Sequence, residues 1–104
     1  MDPLNRLKEL NTRDCLWIYV LKILADDKAH AYRLRKDIQE QFGFLPGIMT
    51  AYKVLYLLKK EGYVRTTREG RKKIYAISPK GRAELKKAAC FYRNLAATLS
   101  SEGL

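Results

Sequence analysis

Lys59-Lys60-Glu61-Gly62-Tyr63-Val64-Arg65-Thr66-Thr67-Arg68-Glu69-Gly70-Arg71-Lys72-Lys73-Ile74-Tyr75-Ala76-Ile77-Ser78-Pro79-Lys80-Gly81 decides the fold. The first four residues close an amphipathic helix with a glycine stop. Tyr63 to Thr67 has the composition of a short strand, Arg68-Glu69-Gly70 that of a turn, and Arg71 to Ile77 that of a returning strand. Ser78-Pro79 then places a capping hydroxyl and a first-turn proline at the start of another helix. Helix, stop, strand, cationic turn, strand, helix is the order of a winged helix-turn-helix. The turn region carries Arg68, Arg71, Lys72 and Lys73 against the single acid Glu69. Cations held on a projecting turn point to a polyanionic partner.

Upstream, Asp2-Pro3 can cap a short helix bearing Leu4, Leu7 and Leu10, and Thr12 reads as the N-cap of the next helix. That helix runs to about Ala25, with Leu16, Val20, Ile23 and Leu24 on one face. A helix from about Ala31 to Phe42 follows, with Leu34, Ile38 and Phe42 spaced four apart. Gly43 to Gly47 interrupts it around Pro46, and the next helix spans about Ile48 to Glu61. On this helix Ala51, Leu55 and Leu58 share the inward face, and Thr50, Lys53, Leu57 and Lys60 the outward one. In the hairpin, Val64, Tyr75 and Ile77 are expected to point inward and Arg65 and Lys73 outward. The last helix runs from Ser78 to about Leu99. The expected architecture is mainly α with a small β-hairpin. It is a single domain over 1–104, a winged helix-turn-helix over 12–77 followed by a C-terminal dimerisation helix over 78–99.

The chain has 104 residues and a net charge of +10. Residues 1–30 are neutral, 31–73 carry +7 and 74–104 carry +3. The excess therefore sits on the helix-turn-helix and wing, which favours nucleic acid over a merely solvated surface. No apolar run is long enough to span a membrane, and no leader is visible at the N-terminus, so a cytoplasmic location with no membrane partner is expected. Cys15 and Cys90 are too few for a disulfide framework, and His30 has no companions at ligand spacing, so neither metal nor other cofactor is expected. Catalysis has no support, for no nucleophile sits beside a base and no carboxylates are paired.

Three stretches of the chain resemble the PadR-like winged-helix transcriptional regulators. His30-Ala31-Tyr32 is similar to that family's His-Gly-Tyr at the start of its second helix, with Ala31 in place of glycine. Thr50-Ala51-Tyr52, then Leu55, Leu58 and Glu61-Gly62, resembles its recognition helix, with Lys53 where proline is common. Arg71-Lys72-Lys73-Ile74-Tyr75, then Ile77-Ser78 and Lys80-Gly81-Arg82, resembles its wing strand and last helix. The resemblance covers about residues 14–88. It implies a DNA-binding homodimer, often a repressor, sometimes responsive to a small aromatic or cationic effector.

Met49, Thr50, Tyr52, Lys53 and Tyr56 are therefore candidates to meet base edges in the major groove of double-stranded DNA. Tyr32, Arg33 and Lys36, at the start of the second helix, are candidates for phosphates, with simple packing as the other reading of Tyr32. Arg68, Arg71, Lys72 and Lys73 would reach a flanking phosphate or the minor groove. Leu85, Ala89, Tyr92, Ala96 and Leu99 recur at alternating four- and three-residue spacing, a seam suited to a second copy. Trp17 reads first as a core or dimer-interface residue, with a ligand cavity shared with Phe91 and Tyr92 as the alternative. The functional expectation is a sequence-specific homodimeric repressor. An architectural protein coating DNA with little sequence preference is the alternative.

Overall fold

The structure, a computed structural model, describes residues 2–101. Its elements are α1 (Pro3–Arg13), α2 (Leu16–Asp26), α3 (Ala31–Phe42), α4 (Ile48–Lys60), β1 (Val64–Glu69), β2 (Lys72–Ile77) and α5 (Pro79–Leu99). Most boundaries follow local chemistry. Asp2 caps α1 by accepting from the Leu4 amide at 3.0 Å. α3 ends where Gly43 turns left-handed at φ 80°, a conformation costly to other residues. The Ser78 hydroxyl accepts from the Gly81 amide, and Pro79 follows at the first helical position.

Thr12 is a correction. It lies inside α1, where its hydroxyl donates to the Lys8 and Glu9 carbonyls at 3.1 and 2.9 Å rather than capping a new helix. The break falls later, and α2 starts after Cys15 without any side-chain cap. The burial of Leu16, Val20, Leu21, Ile23 and Leu24, rather than capping, stabilises this helix.

The core joins α2, α3, α4 and the hairpin. Val20, Leu21, Leu34, Ile38 and Leu55 are fully enclosed, and Val64 and Tyr75 close the sheet side. In the hairpin, Val64 pairs with Ile77 and Thr66 with Tyr75, which puts Val64, Tyr75 and Ile77 on one face as expected. Ile74 is also buried, on the opposite face and outside the main cluster. The turn is tighter than Arg68-Glu69-Gly70. β1 continues to Glu69, which pairs with Lys72, leaving only Gly70 and Arg71 in the loop. Gly70 has φ 63° and Arg71 a negative φ, the φ pattern of a type II′ turn. A further bridge joins Ala29 to Tyr75 through two backbone bonds, of 3.0 and 2.9 Å.

Where α4, β1 and α5 meet, the chain is tied by side chain to backbone. Ser78 Oγ donates to the Gly62 carbonyl at 2.6 Å, and Lys80 Nζ donates to the Glu61 carbonyl at 2.7 Å. Gly81 sits against this corner, and a Cβ there would collide with the Tyr63 carbonyl oxygen and approach Ile77 at 2.8 Å. The glycine is thus required by close packing, not by its backbone angles. Gly81→Ala is expected to destabilise the fold by about 1–3 kcal/mol, as overpacking does. Urea unfolding checks this, and an unchanged midpoint would mean the corner yields freely.

Candidate nucleic-acid interface

α4 presents two faces. Ala51, Leu55 and Leu58 are buried against the core, while Met49, Thr50, Tyr52, Lys53 and Tyr56 are exposed. Met49 is 79% and Tyr56 63% accessible, unusual for such apolar surface. The helix opens after Gly47 without a side-chain cap, so no capping side chain engages its first amides.

α3 begins at His30, whose Nδ1 accepts from the Arg33 amide at 3.3 Å. The single histidine therefore serves as a helix cap. Tyr32 is 66% exposed and is no packing residue. Arg33 is less free than its position suggests, since Asp27 lies 3.2 Å and Asp37 3.6 Å from its guanidinium. Lys36 is exposed with no carboxylate partner among the described residues. Arg35 was not among the expected contacts. It is half-buried, and its Nε donates to the Pro46 carbonyl at 2.8 Å.

The wing leans over the start of α3. A groove of about 540 Å³ brings together Tyr32, Tyr52, Arg68, Arg71, Lys72 and Lys73, six of the expected residues, beside His30 and Tyr75. An adjoining groove of about 510 Å³ gathers Tyr52, Tyr56 and Lys73 with Lys59 and Lys60, which close α4 and were not singled out. Their signal in sequence was a helix-ending pair of lysines, which equally suits the helix dipole. Met49, Lys53, Arg33 and Lys36 line neither groove, and Thr50 faces a different one, beside Pro46 and Gly47. Burial, and secondarily the nearby Tyr52, raise the pKa of the Tyr75 hydroxyl above its usual value. It stays protonated at neutral pH and keeps a proton to donate.

The register sets Arg68 directly opposite Lys73. Like charges across a strand pair repel, and this pair is not separated by an acid. The wing's one acid, Glu69, pairs with Lys28 at 3.2 Å, which ties the tip to the loop before α3.

The stripe expected to form a dimer seam divides. Leu85 packs against the core, and Ala89 and Tyr92 line a groove of about 720 Å³ with Ile18, Tyr19 and Phe42. Tyr92 donates its hydroxyl to Asn11 Oδ1 at 3.0 Å, and its own pKa is raised by burial and by the nearby Cys15 thiol. Ala96 and Leu99 are exposed, Leu99 by 75%. Trp17 does not share a cavity with Phe91 and Tyr92. It lines a separate groove with Val54, Leu57 and Tyr63, on the α4 side of α2. Consecutive positions 17 to 19 of a helix point in different directions, so Trp17 faces α4 while Ile18 and Tyr19 face α5. No helix of the described residues is long and apolar enough to cross a membrane.

A family model for the transcriptional regulator PadR-like family matches residues 20–87. Comparison with curated proteins gives no match. Among solved structures, the PadR-like transcriptional regulator BC4206 of Bacillus cereus strain ATCC 14579 superposes with a TM-score of 0.76 at 21% identity, covering 88% of this chain and 98% of that one. A transcriptional regulator of Clostridium thermocellum gives 0.75 at 20% identity, over 85% and 91%. F93 from STIV, a winged-helix DNA-binding protein, gives 0.69 at 18% identity, over 80% and 91%. These structures share the fold, a winged helix.

The opposed wing cations make a stability prediction. Lys73→Thr removes the repulsion with Arg68 and adds a β-branched residue, so it is expected to stabilise the free protein by about 0.2–1 kcal/mol. The gain should shrink as salt screens the pair. Thermal unfolding at low and high salt measures it, and a destabilised variant would show that Lys73 is not under electrostatic strain.

Proposed function

The chain belongs to the transcriptional regulator PadR-like family, and from that premise we propose that it is a sequence-specific double-stranded DNA-binding regulator. It acts in the cytoplasm as a homodimer and represses by occupying its operator. The observation that carries this is convergence. Tyr52, Tyr56 and the closing lysines of α4, Tyr32 of α3 and the wing cations meet along two adjoining grooves, and Met49, Thr50 and Lys53 are exposed on the same helix.

In this reading the first turns of α4 enter the major groove. Lys53 reaches a guanine edge or a phosphate, Thr50 a base edge or phosphate, and Met49 a thymine methyl. Tyr52 and Tyr56 flank them. Tyr32, Lys36 and the wing residues Arg68, Arg71, Lys72 and Lys73 hold phosphates and fix the register. Arg33 contributes less, because its charge is already shared with two aspartates. The Arg68–Lys73 repulsion is relieved when a phosphate sits between them. Leu85, Ala89, Tyr92, Ala96 and Leu99 supply the dimer seam. Of the two effector chemistries the family resemblance implies, an aromatic compound suits the α2–α5 groove better. Tyr19, Phe42 and Tyr92 line it, and its charged residues, Lys22, Arg82 and Lys86, are all cationic and would repel a cationic compound.

Selection of bound sequences from random duplexes tests the reading. A palindromic consensus is expected, and its absence would favour an architectural protein. Lys53→Ala is expected to change the preferred base at one position of each half-site, and Arg71→Ala to weaken all sequences nearly alike. An unaltered preference in Lys53→Ala would overturn the assigned role of that residue. For the dimer, Tyr92→Glu with Leu99→Glu is expected to give a folded monomer by sedimentation, with operator binding weakened at least ~100-fold by lost avidity. A folded wild-type monomer that binds its operator tightly would overturn the dimer.

A further inference from the structure

One cation of the helix-turn-helix is held by backbone rather than by an acid. The Arg35 Nε donates to the Pro46 carbonyl at 2.8 Å, and among the described residues no carboxylate pairs with it. Lys36 is likewise without a carboxylate partner among the described residues but is exposed, and other nearby cations are paired. Arg33 is shared by Asp27 and Asp37, Lys28 is paired with Glu69, and Lys22 with Asp26. Pro46 is buried in the turn that joins α3 to α4, just before Ile48 opens α4. The bond therefore fixes the Arg35 guanidinium at the entrance of the helix proposed to enter the groove.

A guanidinium has five N–H donors, and this bond uses one. No buried side-chain nitrogen among the described residues lacks a partner. The two η nitrogens of Arg35, which have no protein partner among those residues, are thus not sealed from solvent. A guanidinium tied at Nε and open at both η groups presents a fork of fixed geometry. That fork matches two oxygens of one phosphate. We propose that Arg35 is a DNA phosphate clamp at the start of α4, preorganised by the Pro46 carbonyl; this rests on the DNA-binding reading above. The clamp carries no base information. It sets how deeply and in which register α4 enters the groove. Lys36 and Lys53 must give up rotamer freedom when they bind, whereas much of that freedom is already gone from Arg35 in the free protein.

The slope of log affinity against log salt counts phosphates neutralised, and a purely structural brace would not move it. The test measures that slope on a mixed-sequence duplex of about 30 base pairs, between about 50 and 200 mM salt. Wild type, Arg35→Met and Arg35→Lys are compared, with circular dichroism as the check on folding. Arg35→Met is expected to lower the slope by roughly 0.9 per protomer, about 2 for a dimer. Arg35→Lys keeps the charge without the fork, so its slope should equal that of wild type while its affinity falls several-fold. A wild-type slope in folded Arg35→Met, or wild-type affinity in Arg35→Lys, would overturn the clamp. If Arg35→Met does not fold, Arg35→Gln takes its place in the slope measurement, with the same expected loss and the same overturning result. A flat slope in the wild type itself would instead overturn the DNA-binding reading.

Discussion

Two backbone hydrogen bonds between Ala29 and Tyr75 fix the wing to the residue that precedes the α3 cap. A two-stranded hairpin is marginal in water on its own. Here β2 gains a third partner, and that partner is continuous with His30 and the first turn of α3. Tyr75 adds its ring to the core on the same face as Val64 and Ile77. The wing and the start of α3 therefore behave as one rigid piece. The backbone positions of Arg68, Arg71, Lys72 and Lys73 are consequently held beside Tyr32 and Tyr52. Without the bridge, the same cations would ride on a loose hairpin, and any partner would have to order them first.

Rigid placement of like charges has a cost that a core must offset. Arg68 faces Lys73 across the strand pair, and Lys59, Lys60 and Lys73 crowd one groove. Against this stands the closed packing of Val20, Leu21, Leu34, Ile38 and Leu55, none of which reaches solvent. Acids temper the repulsion selectively. Glu69 sits with Lys28, and Asp27 and Asp37 hold Arg33. These pairs lie around the start of α3, while Lys36 and Lys53 have no acid partner among the described residues. The charge remaining for a polyanion thus lies on α4, the wing, and Arg35 and Lys36 of α3.

How much of this was legible in the sequence follows from how local each determinant is. Gly43, Gly62 and Ser78-Pro79 mark boundaries within a few residues of where they act, so α3, α4 and α5 could be read closely from sequence. The inward face of α4 followed from the spacing of Ala51, Leu55 and Leu58. Thr12 misled because a threonine hydroxyl can cap the next helix or bond back to its own, and packing of the following helix decides which. The hairpin turn moved because Gly70 accepts a positive φ at the first loop position, which lets β1 extend through Glu69. The Ala29–Tyr75 bridge joins two backbones and the Arg35–Pro46 bond ends on a backbone carbonyl, and backbone partners leave no mark on residue type. Trp17 and Tyr92 shared an aromatic label but face opposite sides of α2, which composition does not encode.

Among the exposed apolar residues, two groups have different neighbours. Tyr32, Tyr52 and Tyr56 lie among lysines and arginines, and each carries a hydroxyl. Leu4, Leu7 and Leu10 on α1, and Phe91, Leu95 and Leu99 on α5, have no such setting and are 43–75% exposed. The first group suits a hydrated, charged partner, the second another apolar surface. The Tyr92–Asn11 bond links α1 to α5, so in the proposed dimer the exposed leucines of both helices would be available to one seam. α5 leaves β2 after Ser78 alone, and Ser78 and Lys80 fasten its start to the end of α4. No flexible linker separates the stripe from α4. In the proposed dimer, the angle at which two α5 helices cross would thus set the distance between two α4 helices, and with it the spacing of half-sites. A ligand in the α2–α5 groove would act on that same angle, since Leu85, Ala89 and Tyr92 line the groove and belong to the stripe.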